Sequence, residues 1–590
     1  MVVTEYNLLH LAPILHPPQE NMFRNKYLDY SELVRQVESW ARDHADFVRV
    51  TSLGASAEGR SIPLLTLGPR PDEARPAVWV DGNMHASELC GSSVALAIAE
   101  EVISLHAGAP KGAMAKLPAH MQEALRETLF YIVPRMSPDG AESVMKTGRY
   151  VRSSPVDDRL HKGHAYWEAH DFDGDGQMGY MRQACEDGEL VGLAGYPNVM
   201  VPRLPEDPPP YYKLYPEGRI VNFDGRTIPD PYFLSDNQYD FNRNFPYQWA
   251  PEPEQVGAGD YPGSAPETRA VIDFSVRHPE IFTWLNLHTF GGVVIRPLGD
   301  KPDHKMNQDD LAIYRQVEEW TKAHANYPTV SGFHEFLYAP DKPLKGDLTD
   351  YAYHQRGTLA YVIELWDLFT QIGLERKTPF VDVYSRLDRK DLVALAKWDK
   401  EHNKGRVFGK WSKVKHPQLG EVEVGGLDLR IGVSNPPLEK VTEVCEKHSA
   451  AFLRVAALVP RVVVEVVKQE AIAPAQAGAQ FTRIELRVAN RGYLGTYGLS
   501  SAKKLAFSEP LRATIEAEGL KLTAPSEKVI EIGHLEGWGR GLYNGVNIFF
   551  PWTRGNVHER FVTLVVEGKG KLRVRVGSVR VGFRTVEVTI

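Results

Sequence analysis

Four short runs of apolar residues stand out along the chain because hydrophobic and polar positions do not alternate within them. The runs are 77–81 (AVWVD), 129–134 (LFYIVP), 281–287 (IFTWLNL) and 359–365 (LAYVIEL). Continuous runs of this kind are typical of strands buried on both faces of a sheet. Helical periodicities lie between them, at 88–105, 118–126, 265–277 and 308–325. This alternation predicts an α/β fold with a mixed, mostly parallel sheet flanked by helices.

The pattern around these runs adds a helix and two strands before them and one long helix after them. Ser31 is the expected N-cap of the first helix, whose apolar positions recur at helical spacing. Strands at 48–53 and 62–68 are predicted to follow it. A helix over 379–402 is expected to close the α/β unit.

The pattern changes near residue 405. A strand and turn are predicted at 420–427 (GEVEVGGL) and an amphipathic helix at 437–458. Short alternating segments separated by glycines then predict a C-terminal antiparallel β-sandwich. The expected division is an N-terminal segment 1–25, an α/β unit 26–404, a connecting region 405–459 and a β-sandwich 460–590.

Residues 155–235 interrupt the strand–helix alternation. They are rich in proline, tyrosine, aspartate and glycine, with three consecutive prolines at 208–210. A stretch this long without a periodic pattern is uncommon in a compact domain and is often functional. We expect an irregular insertion here, and hypothesise that it narrows the approach to the functional site.

Composition and charge exclude several classes of protein. The 590 residues are 43% hydrophobic and 24% charged, as in globular domains, and the net charge is −8 without a basic block. Nucleic acid is therefore a poor candidate partner. No apolar run approaches the roughly 18 residues of a membrane span. The start of the chain lacks the basic flank of a signal peptide, and Cys90, Cys185 and Cys445 form no disulfide pattern, so we expect a mature N-terminus and a cytoplasmic protein.

Polar residues follow the ends of the four apolar runs. The first is followed by His85 in DGNMH, the second by Asp139 in SPDG and the third by His288, while Glu364 lies near the end of the fourth. Ligands of open α/β sheets bind beyond the carboxyl ends of the strands. No GxSxG, Walker A, GxGxxG or HExxH motif is present, which disfavours serine-hydrolase, P-loop and zincin chemistry.

His85 and Glu88 form an HxxE pair where a buried strand meets a helix. Hydrolytic zinc sites use three protein ligands and leave one position for water, and His288 is the best third candidate. Glu364 is a candidate base, because a carboxylate late in a buried run is costly unless it has a role or a partner. A second HxxE, His120 with Glu123, lies in a helical pattern and is interpreted as a solvated helix face.

Six motifs, in this order, resemble those of zinc metallocarboxypeptidases related to carboxypeptidase A. They are SAEGRSI (56–62), DGNMHASE (81–88), VPRMSPDG (133–140), DFNRNFP (240–246), NLHT (286–289) and IEL (363–365). The resemblance covers about 25–400, so 26–404 becomes the expected catalytic domain. It implies a carboxypeptidase-like fold and one Zn²⁺ per chain.

The resemblance also implies a role for each matching residue. His85, Glu88 and His288 match the zinc ligands, and Glu364 matches the general base that activates water and protonates the leaving amine. Arg152 matches the arginine that stabilises the oxyanion. The substrate's terminal carboxylate would be gripped by Asn242 and Arg243, a role that suits the guanidinium fork.

Two features of the family are harder to match. Tyr338 is the best match to the tyrosine that covers the substrate, with Tyr351 and Tyr353 as competitors. The position lining the specificity pocket falls near Thr349, before Asp350, and leaves the preferred C-terminal residue open.

The insertion contains the sequence DFDGDG, which resembles the start of a calcium loop. Asp171, Asp173 and Asp175 would be its ligands, but Arg182 occupies the position where an EF-hand needs glutamate. A complete EF-hand is therefore excluded, and a simpler Ca²⁺-stabilised turn and a plain acidic turn both remain open.

The leading hypothesis is a zinc carboxypeptidase acting on peptides with a free C-terminal carboxylate. The first alternative is a zinc amidohydrolase or deacylase that cleaves N-acyl amino acids or other small amides, since these also carry a carboxylate. A non-catalytic peptide-binding protein is the third hypothesis, which the intact ligand and base positions disfavour. The β-sandwich carries no chemical motif and is interpreted as a stabilising accessory module.

Overall fold

The computed structural model describes residues 22–156, 163–230, 239–339, 342–385, 387–472, 480–541 and 553–590. The α-helices are α1 Tyr30–Asp43, α2 Cys90–His106, α3 Gly112–Ala115, α4 Ala119–Arg126, α5 Pro138–Thr147, α6 Pro266–Arg277, α7 Gln308–Ala325, α8 Gly332–Glu335, α9 Leu348–Arg356, α10 Leu368–Gln371, α11 Asp382–Ser385, α12 Arg389–His402 and α13 Val441–Ala456. Short 3₁₀ helices are Met22–Arg24, Phe241–Arg243, Asp303–Lys305, Leu438–Lys440 and Ser500–Lys504.

The strands of the described residues fall into four sheets. In chain order they are β1 Val48–Ala55, β2 Ser61–Leu67, β3 Ala77–Gly82, β4 Leu129–Val133, β5 Tyr166–Ala169, β6 Tyr180–Ala184, β7 Leu190–Leu193, β8 Tyr196–Pro202, β9 Tyr211–Pro216, β10 Gly218–Val221, β11 Ile281–His288, β12 Val293–Arg296, β13 Thr329–Ser331, β14 Leu359–Glu364, β15 Trp411–His416, β16 Gly420–Gly425, β17 Val462–Ile472, β18 Phe481–Asn490, β19 Leu511–Ala524, β20 Val529–Gly533, β21 Glu559–Ser578 and β22 Gly582–Thr589.

In the part of the chain that the structure describes, the main sheet has eight strands in the order β1-β2-β4-β3-β11-β14-β12-β13. Its centre, β4-β3-β11-β14, is parallel and the flanking pairs β1–β2, β2–β4 and β12–β14 are antiparallel. The four central strands are the four apolar runs of the sequence, and nearly all their residues are buried. The predicted α/β class with a mixed, mostly parallel sheet is confirmed.

Helices cover this sheet and include the segment treated above as a connecting region. The helix α2 packs against β3 and β11, and α13, from the 405–459 region, packs against both α2 and α7. Two buried hydrogen bonds join the same region to the rest of the α/β unit. Tyr27 donates to the Pro436 carbonyl, and the amide of Cys90, the first residue of α2, donates to Asn435 Oδ1. Residues 405–459 therefore help to build the α/β unit. Among the described residues, no helix combines the length and apolar character required to cross a membrane.

Two helix boundaries differ from the predicted ones. The first helix is capped by Asp29, not Ser31, because Asp29 and Glu32 form a reciprocal capping box with hydrogen bonds of 2.8 and 3.1 Å. The predicted helix 379–402 is also wrong in its first part. The regular helix α12 begins only at Arg389, where Asp388 and Asp391 form a second capping box.

The insertion is not irregular, which corrects the expectation for 155–235. Its described part, 163–230, contains six strands, β5 to β10. Four of them join β15 and β16 in a second sheet ordered β15-β16-β6-β9-β7-β8, and β5 pairs with β10. The strands were missed because they are short, and because β6 is completed on one side by β16, about 240 residues later. Arg182, which stands where an EF-hand would need glutamate, lies in β6, and its Nε donates to Glu423 of β16 at 2.7 Å.

Over its described residues, 460–472, 480–541 and 553–590, the C-terminal region forms one antiparallel sheet of six strands, in agreement with the predicted antiparallel β unit. Its order is β17-β18-β21-β19-β20, with β22 paired to β21. The 20-residue strand β21 pairs with β18 through its first half and with β22 through its second. Gln469 of β17 donates to the Thr589 carbonyl of β22 at 3.0 Å, which links these two strands of the sheet.

The C-terminal sheet docks at the starts of the parallel strands. The guanidinium group of Arg580 is fully buried and donates to the carbonyls of Pro279, Tyr497 and Ile281 at 3.0, 2.5 and 3.3 Å. Ile281 begins β11 and His288 ends it. Seven residues of strand span about 23 Å, so this contact lies far from the strand ends that carry the candidate site.

Two of the six sequence motifs meet in a structural cluster. Asp139 is 2% exposed, and its Oδ1 accepts hydrogen bonds from Ser56 and Arg60 while its Oδ2 accepts from the Glu58 amide, at 2.7, 2.7 and 2.8 Å. These contacts fasten the β1–β2 turn to the start of α5. The motifs at 56–62 and 133–140 thus serve the fold at this point.

Replacing Asp139 with alanine is expected to destabilise the protein by about 2 kcal/mol or more, because three donors lose a buried acceptor. For a unit of this size the thermal midpoint falls by about 2 °C or more, as calorimetry would measure. Glu58→Gln is the matched control: Glu58 pairs with the same Arg60 but is 40% exposed, so its effect stays below about 1 kcal/mol. Equal stability of both variants would contradict the structural role of Asp139.

Candidate metal centre

Four predicted site residues lie at the carboxyl ends of neighbouring parallel strands. His288 is the last residue of β11 and Glu364 the last of β14, and the two are register partners. His85 and Glu88 lie in the loop between β3 and α2, next to β11. Residues 203 positions apart in the chain therefore face each other because parallel strands end at the same edge.

The loop that carries His85 and Glu88 is held tightly against the strand ends. A Cβ at Gly82 would lie 2.5 Å from the Gly91 carbonyl oxygen, so only glycine permits this approach of α2 to β3. Asn83 has φ +56°, and its side-chain amide donates to the carbonyls of His85 and Ala86 at 2.7 and 3.1 Å. These contacts fix the direction of the HxxE pair.

The three predicted ligands converge on one point. The Nδ1 atoms of His85 and His288 lie 3.1 Å apart, and the Glu88 carboxylate lies 2.7 Å from the first and 3.0 Å from the second. All three side chains are buried. Their ligand atoms lie within 4.8 Å of one another, which is the arrangement of a metal site.

Hydrogen bonds on the far side of each imidazole determine which nitrogen faces that point. His85 Nε2 lies 3.1 Å from Asp240 Oδ1, and His288 Nε2 lies 2.5 Å from Asn286 Oδ1. Asn286 donates its amide to Asp81, so its oxygen is left to accept from His288. With Nε2 as the donor on both rings, both Nδ1 atoms carry lone pairs toward Glu88.

This donor set fits zinc. Two lone pairs at 3.1 Å beside a carboxylate repel one another unless a cation lies between them. Nitrogen ligands of tetrahedral zinc at about 2.0–2.1 Å are separated by about 3.3 Å, close to the observed spacing. Both histidines also have the outer hydrogen-bond acceptor that metal-binding imidazoles normally use.

The electrostatics of the ligands agree with cation binding. Burial alone raises the pKa of Glu88, but the facing His85 and His288 outweigh it and hold the pKa well below its ordinary value. The Thr289 amide donates a further hydrogen bond to Glu88 at 3.2 Å. Glu88 is therefore a carboxylate, the form that binds a metal.

Glu364 faces the same cavity without joining the ligand triad. Burial and the negative charge of Glu88 raise the pKa of Glu364 well above its ordinary value, although His85 and Arg152 oppose the shift. A raised pKa makes a carboxylate a better proton acceptor near neutral pH. The pKa values of Glu364 and Glu88 are therefore shifted in opposite directions, although the two carboxylates belong to one site.

Asp240 connects several predicted site residues through one carboxylate. Oδ1 contacts His85 Nε2 and accepts from the Asn242 amide at 2.8 Å, and Oδ2 accepts from Arg152 Nε at 3.0 Å. Burial alone raises the pKa of Asp240, but Arg152 and His85 outweigh it and hold the pKa well below its ordinary value. Asp240 also caps the short 3₁₀ helix Phe241–Arg243.

One cavity joins the metal ligands to the predicted substrate residues. His85, His288, Glu364, Arg152, Asn242, Arg243 and Tyr338 all line it. Tyr338 lies at its mouth and is 66% exposed. The competitors Tyr351 and Tyr353 are 2% exposed core residues, with hydroxyls bonded to Ser275 and Asp310. Among the described residues, none from the insertion strands lines this cavity, so the hypothesis of a narrowed approach gains no support.

The acidic loop of the insertion is satisfied by its own backbone. Asp171 accepts from the amides of Gly174 and Gly176, and Asp173 accepts from that of Asp175. The three carboxylates lie within 4.8 Å of one another, yet such a turn is stable without an ion. The predicted calcium site gains no support from these contacts. The second HxxE pair, His120 with Glu123, is exposed on α4, as expected.

Sequence reasoning missed the residues that orient the ligands. Asp240 opens the motif at 240–246, and Asn286 opens the motif at 286–289, so each stands two residues from a predicted site residue. Asp81 lies in the buried strand before His85 and accepts from Trp79, Trp284 and Asn286. Burial raises the pKa of Asp81 to about 6 despite these donors. A buried aspartate beside each ligand motif was the available signal.

Replacing Asp240 with asparagine is expected to weaken zinc binding by about 10- to 100-fold. The amide keeps only one oxygen, so it cannot accept from both His85 and Arg152. The measurement is competition for zinc between the metal-free protein and a chelator of known affinity. Asp224→Asn, in an exposed turn, is the control. Unchanged zinc affinity of the Asp240 variant would contradict its orienting role.

Comparison with known proteins adds an independent finding. The profile of a zinc carboxypeptidase family matches residues 33–169 and 232–373, and that of a domain of unknown function matches 461–589. The interval 170–231, which the first match leaves out, lies inside the insertion. The matched ranges contain all the predicted zinc, catalytic and substrate residues, and the C-terminal match covers the C-terminal sheet.

Three of the individual proteins that the chain matches share between 16% and 30% of its residues over the aligned regions. Carboxypeptidase B of Astacus astacus is 24% identical over 356 residues, 58% of this chain and 86% of that protein. An inactive metallocarboxypeptidase of Ajellomyces capsulatus (strain H143) is 30% identical over 140 residues, 23% of this chain and 21% of that protein. The solved structure of thrombin activatable fibrinolysis inhibitor aligns with a TM-score of 0.42 and 16% identity, covering 75% of this chain and 79% of that one. Because one relative is inactive, activity requires a direct test.

Proposed function

Because this chain belongs to the zinc carboxypeptidase family, we propose that it is a zinc-dependent enzyme that hydrolyses the C-terminal peptide bond of peptides. The observation that carries the proposal is the shared cavity. It joins a His–Glu–His triad to a buried carboxylate and to three side chains suited to an oxyanion and a terminal carboxylate.

His85, Glu88 and His288 would hold the zinc ion. Zinc in such a site acts as a Lewis acid, which polarises the scissile carbonyl and makes water more acidic. Glu364 would accept the proton of the attacking water and return it to the nitrogen of the leaving amino acid. Its position opposite His288 in the strand register and its raised pKa support this role.

Arg152 would stabilise the negative charge that develops on the carbonyl oxygen. Burial lowers its pKa, but Asp240 and other neighbouring groups outweigh this effect, so the guanidinium stays charged. Its Nε donates to Asp240, one of its other nitrogens lies 3.7 Å from the Glu88 carboxylate, and the side chain lines the cavity. A preorganised charge of this kind contributes strongly in a buried site.

Asn242 and Arg243 would bind the C-terminal carboxylate of the substrate. Both line the cavity, and Arg243 is 9% exposed. Asn242 Oδ1 accepts from the Leu348 amide at 2.8 Å, which fixes the side chain against the start of α9. Because a free carboxylate distinguishes a peptide end from an internal bond, these residues would restrict cleavage to the last residue.

The test is the identity of the products formed from a mixed peptide library, read by mass spectrometry together with zinc content. We expect about one zinc per chain and release of single C-terminal residues. A chelator should abolish release, and added zinc should restore it. Hydrolysis that persists without metal would contradict the proposal.

Defined substrates separate the alternatives. An acyl-dipeptide, its C-terminal amide and an N-acetyl amino acid should be compared under the same conditions. A carboxypeptidase cleaves the first much faster than the other two. Preferential cleavage of the acetyl amino acid would favour a deacylase, and binding of the dipeptide without hydrolysis would favour a non-catalytic protein.

A further inference from the structure

We propose that the cavity beside the metal centre selects a C-terminal lysine or arginine and that Asp347 is the residue that recognises its cationic group. This inference rests on the carboxypeptidase function proposed above. Asp347 lines the same cavity as the metal ligands and precedes α9, whose start contacts Asn242.

Asp347 has one carboxylate oxygen that the fold does not use. Oδ1 caps α9 by accepting from the Asp350 amide at 2.9 Å. Oδ2 is buried and has no hydrogen-bond partner among the described residues. The residue as a whole is only 8% exposed, so water has little access to this oxygen. An unpaired buried carboxylate oxygen is costly unless a ligand supplies the donor.

Open space lies in front of this oxygen because residue 299 is glycine. A Cβ at Gly299 would lie 3.5 Å from Asp347 Oδ2 and 3.5 Å from Asp350 Oδ2. Both oxygens therefore border the volume that a side chain at 299 would fill. A cationic group entering there would meet Asp347 first, since both Asp350 oxygens already accept from the Gly299 amide at 3.1 and 3.0 Å.

Three carboxylates, those of Asp347, Asp350 and Asp300, lie close enough to repel one another here, and Asp300 is also paired with Lys301 at 2.8 Å. Burial and the neighbouring charges of Asp347 and Asp300 raise the pKa of Asp350 well above its ordinary value. Burial raises the pKa of Asp347 too, although Arg243 opposes the shift. His354 contributes no compensating charge at neutral pH, because burial lowers its pKa to about 4. A cation in this position would lower the mutual repulsion of the carboxylates.

The arginines of the cavity are accounted for by other contacts. Arg296 lines it, but its guanidinium group is paired with Asp303 and, at 2.8 Å, with Glu318. Arg152 is bound to Asp240. Arg243 is the residue proposed to grip the terminal carboxylate. Folding brings it to the wall of the same cavity as Asp347, although the two residues are 104 positions apart in the sequence.

The shape of the cavity suits a long side chain with an apolar stem. Ile295, Phe336, Leu344 and Val362 line the same cavity as the metal ligands and Asp347. Lysine and arginine carry three or four methylene groups that pack on such walls, with the charge at the far end. With the terminal carboxylate on Arg243, the side chain of the last residue would extend toward Asp347.

The first experiment uses the unaltered protein loaded with zinc. Acyl-dipeptides that differ only in the last residue should be compared by kcat/KM. Arginine is paired with citrulline and lysine with norleucine, because each pair differs chiefly in charge. We expect the charged member to be preferred by about 30-fold or more, as for a buried ion pair. Substrates that end in phenylalanine or glutamate should also be cleaved more slowly than those that end in arginine or lysine.

The second experiment removes the charge of Asp347. In Asp347→Asn the amide oxygen can still cap α9, so kcat/KM should fall about 30-fold or more for arginine and lysine endings but change little for citrulline. Asp367→Asn is the matched control. Asp367 is 9% exposed, caps α10 and does not line the cavity among the described residues. Its arginine-to-citrulline ratio should match that of the unaltered protein.

The outcomes separate the two proposals. A preference for apolar or acidic endings in the unaltered protein, or an equal loss on all substrates in Asp347→Asn, would overturn the basic selectivity and leave the carboxypeptidase function intact. Release of no C-terminal residue from any substrate would instead overturn the proposed function. If Asp347→Asn does not fold, the arginine–citrulline comparison in the unaltered protein decides.

Discussion

Replacing Glu364 with glutamine is expected to lower kcat by about 10²- to 10⁴-fold, the contribution typical of a positioned general base. Glutamine has nearly the same shape but cannot take a proton from water. Glu364 is not one of the three convergent ligands, so the variant should keep its zinc. The measurements are kcat on an acyl-dipeptide and zinc content by mass spectrometry.

A buried glutamate elsewhere provides the control for this substitution. Burial raises the pKa of Glu217 to about 7, and it accepts from the amides of Phe172 and Gly179 in the insertion. Glu217→Gln should therefore leave kcat unchanged while imposing a similar loss of a buried carboxylate. Activity retained in Glu364→Gln would remove Glu364 as the base, and loss of zinc there would assign it a role in binding the metal.

Replacing Arg243 with alanine is expected to reduce kcat/KM by about 30- to 3,000-fold for substrates with a free C-terminal carboxylate. This range corresponds to the loss of about 2–5 kcal/mol when one partner of a desolvated charge pair is removed. The effect should fall mainly on KM, because Arg243 contacts the end of the substrate and not the reacting carbonyl. Steady-state kinetics on paired acid and amide substrates measures it.

The amide substrate and a conservative variant make this prediction specific. Hydrolysis of the C-terminal amide, already slow, should hardly change in Arg243→Ala, because it has no carboxylate to lose. Arg243→Lys keeps the charge but lacks the two-point fork, and should give an intermediate loss. Equal losses on acid and amide would show that Arg243 does not read the carboxylate.

Local pattern predicted the centre of the fold well. The strands β3, β4, β11 and β14 were evident because burial on both faces leaves a continuous apolar run. The polar residues at the ends of these runs indicated the edge of the sheet at which the site lies. The helix boundaries at Ser31 and 379–402 were wrong because capping depends on which side chain meets which amide. A sequence that offers both Asp29 and Ser31 does not settle that choice.

The insertion was misread for a different reason. Its strands are short and half-buried, so they carry weak periodicity, and β6 is paired on one side by β16. A pairing between segments about 240 residues apart leaves no local signal. Similarly, the capping role of Asp347 is visible from its place before α9, but the spare oxygen is not, because it depends on the space at Gly299.

The sequence by itself determined the residue types of the centre, their order and the class of sheet, because these depend on short-range spacing and on burial along single strands. Only the tertiary structure decided how Asp240 joins His85 and Arg152, how Asn286 orients His288, and which carboxylate of the cavity stays unpaired. Those contacts join side chains across strand ends and loops, where distance in space is independent of distance along the chain.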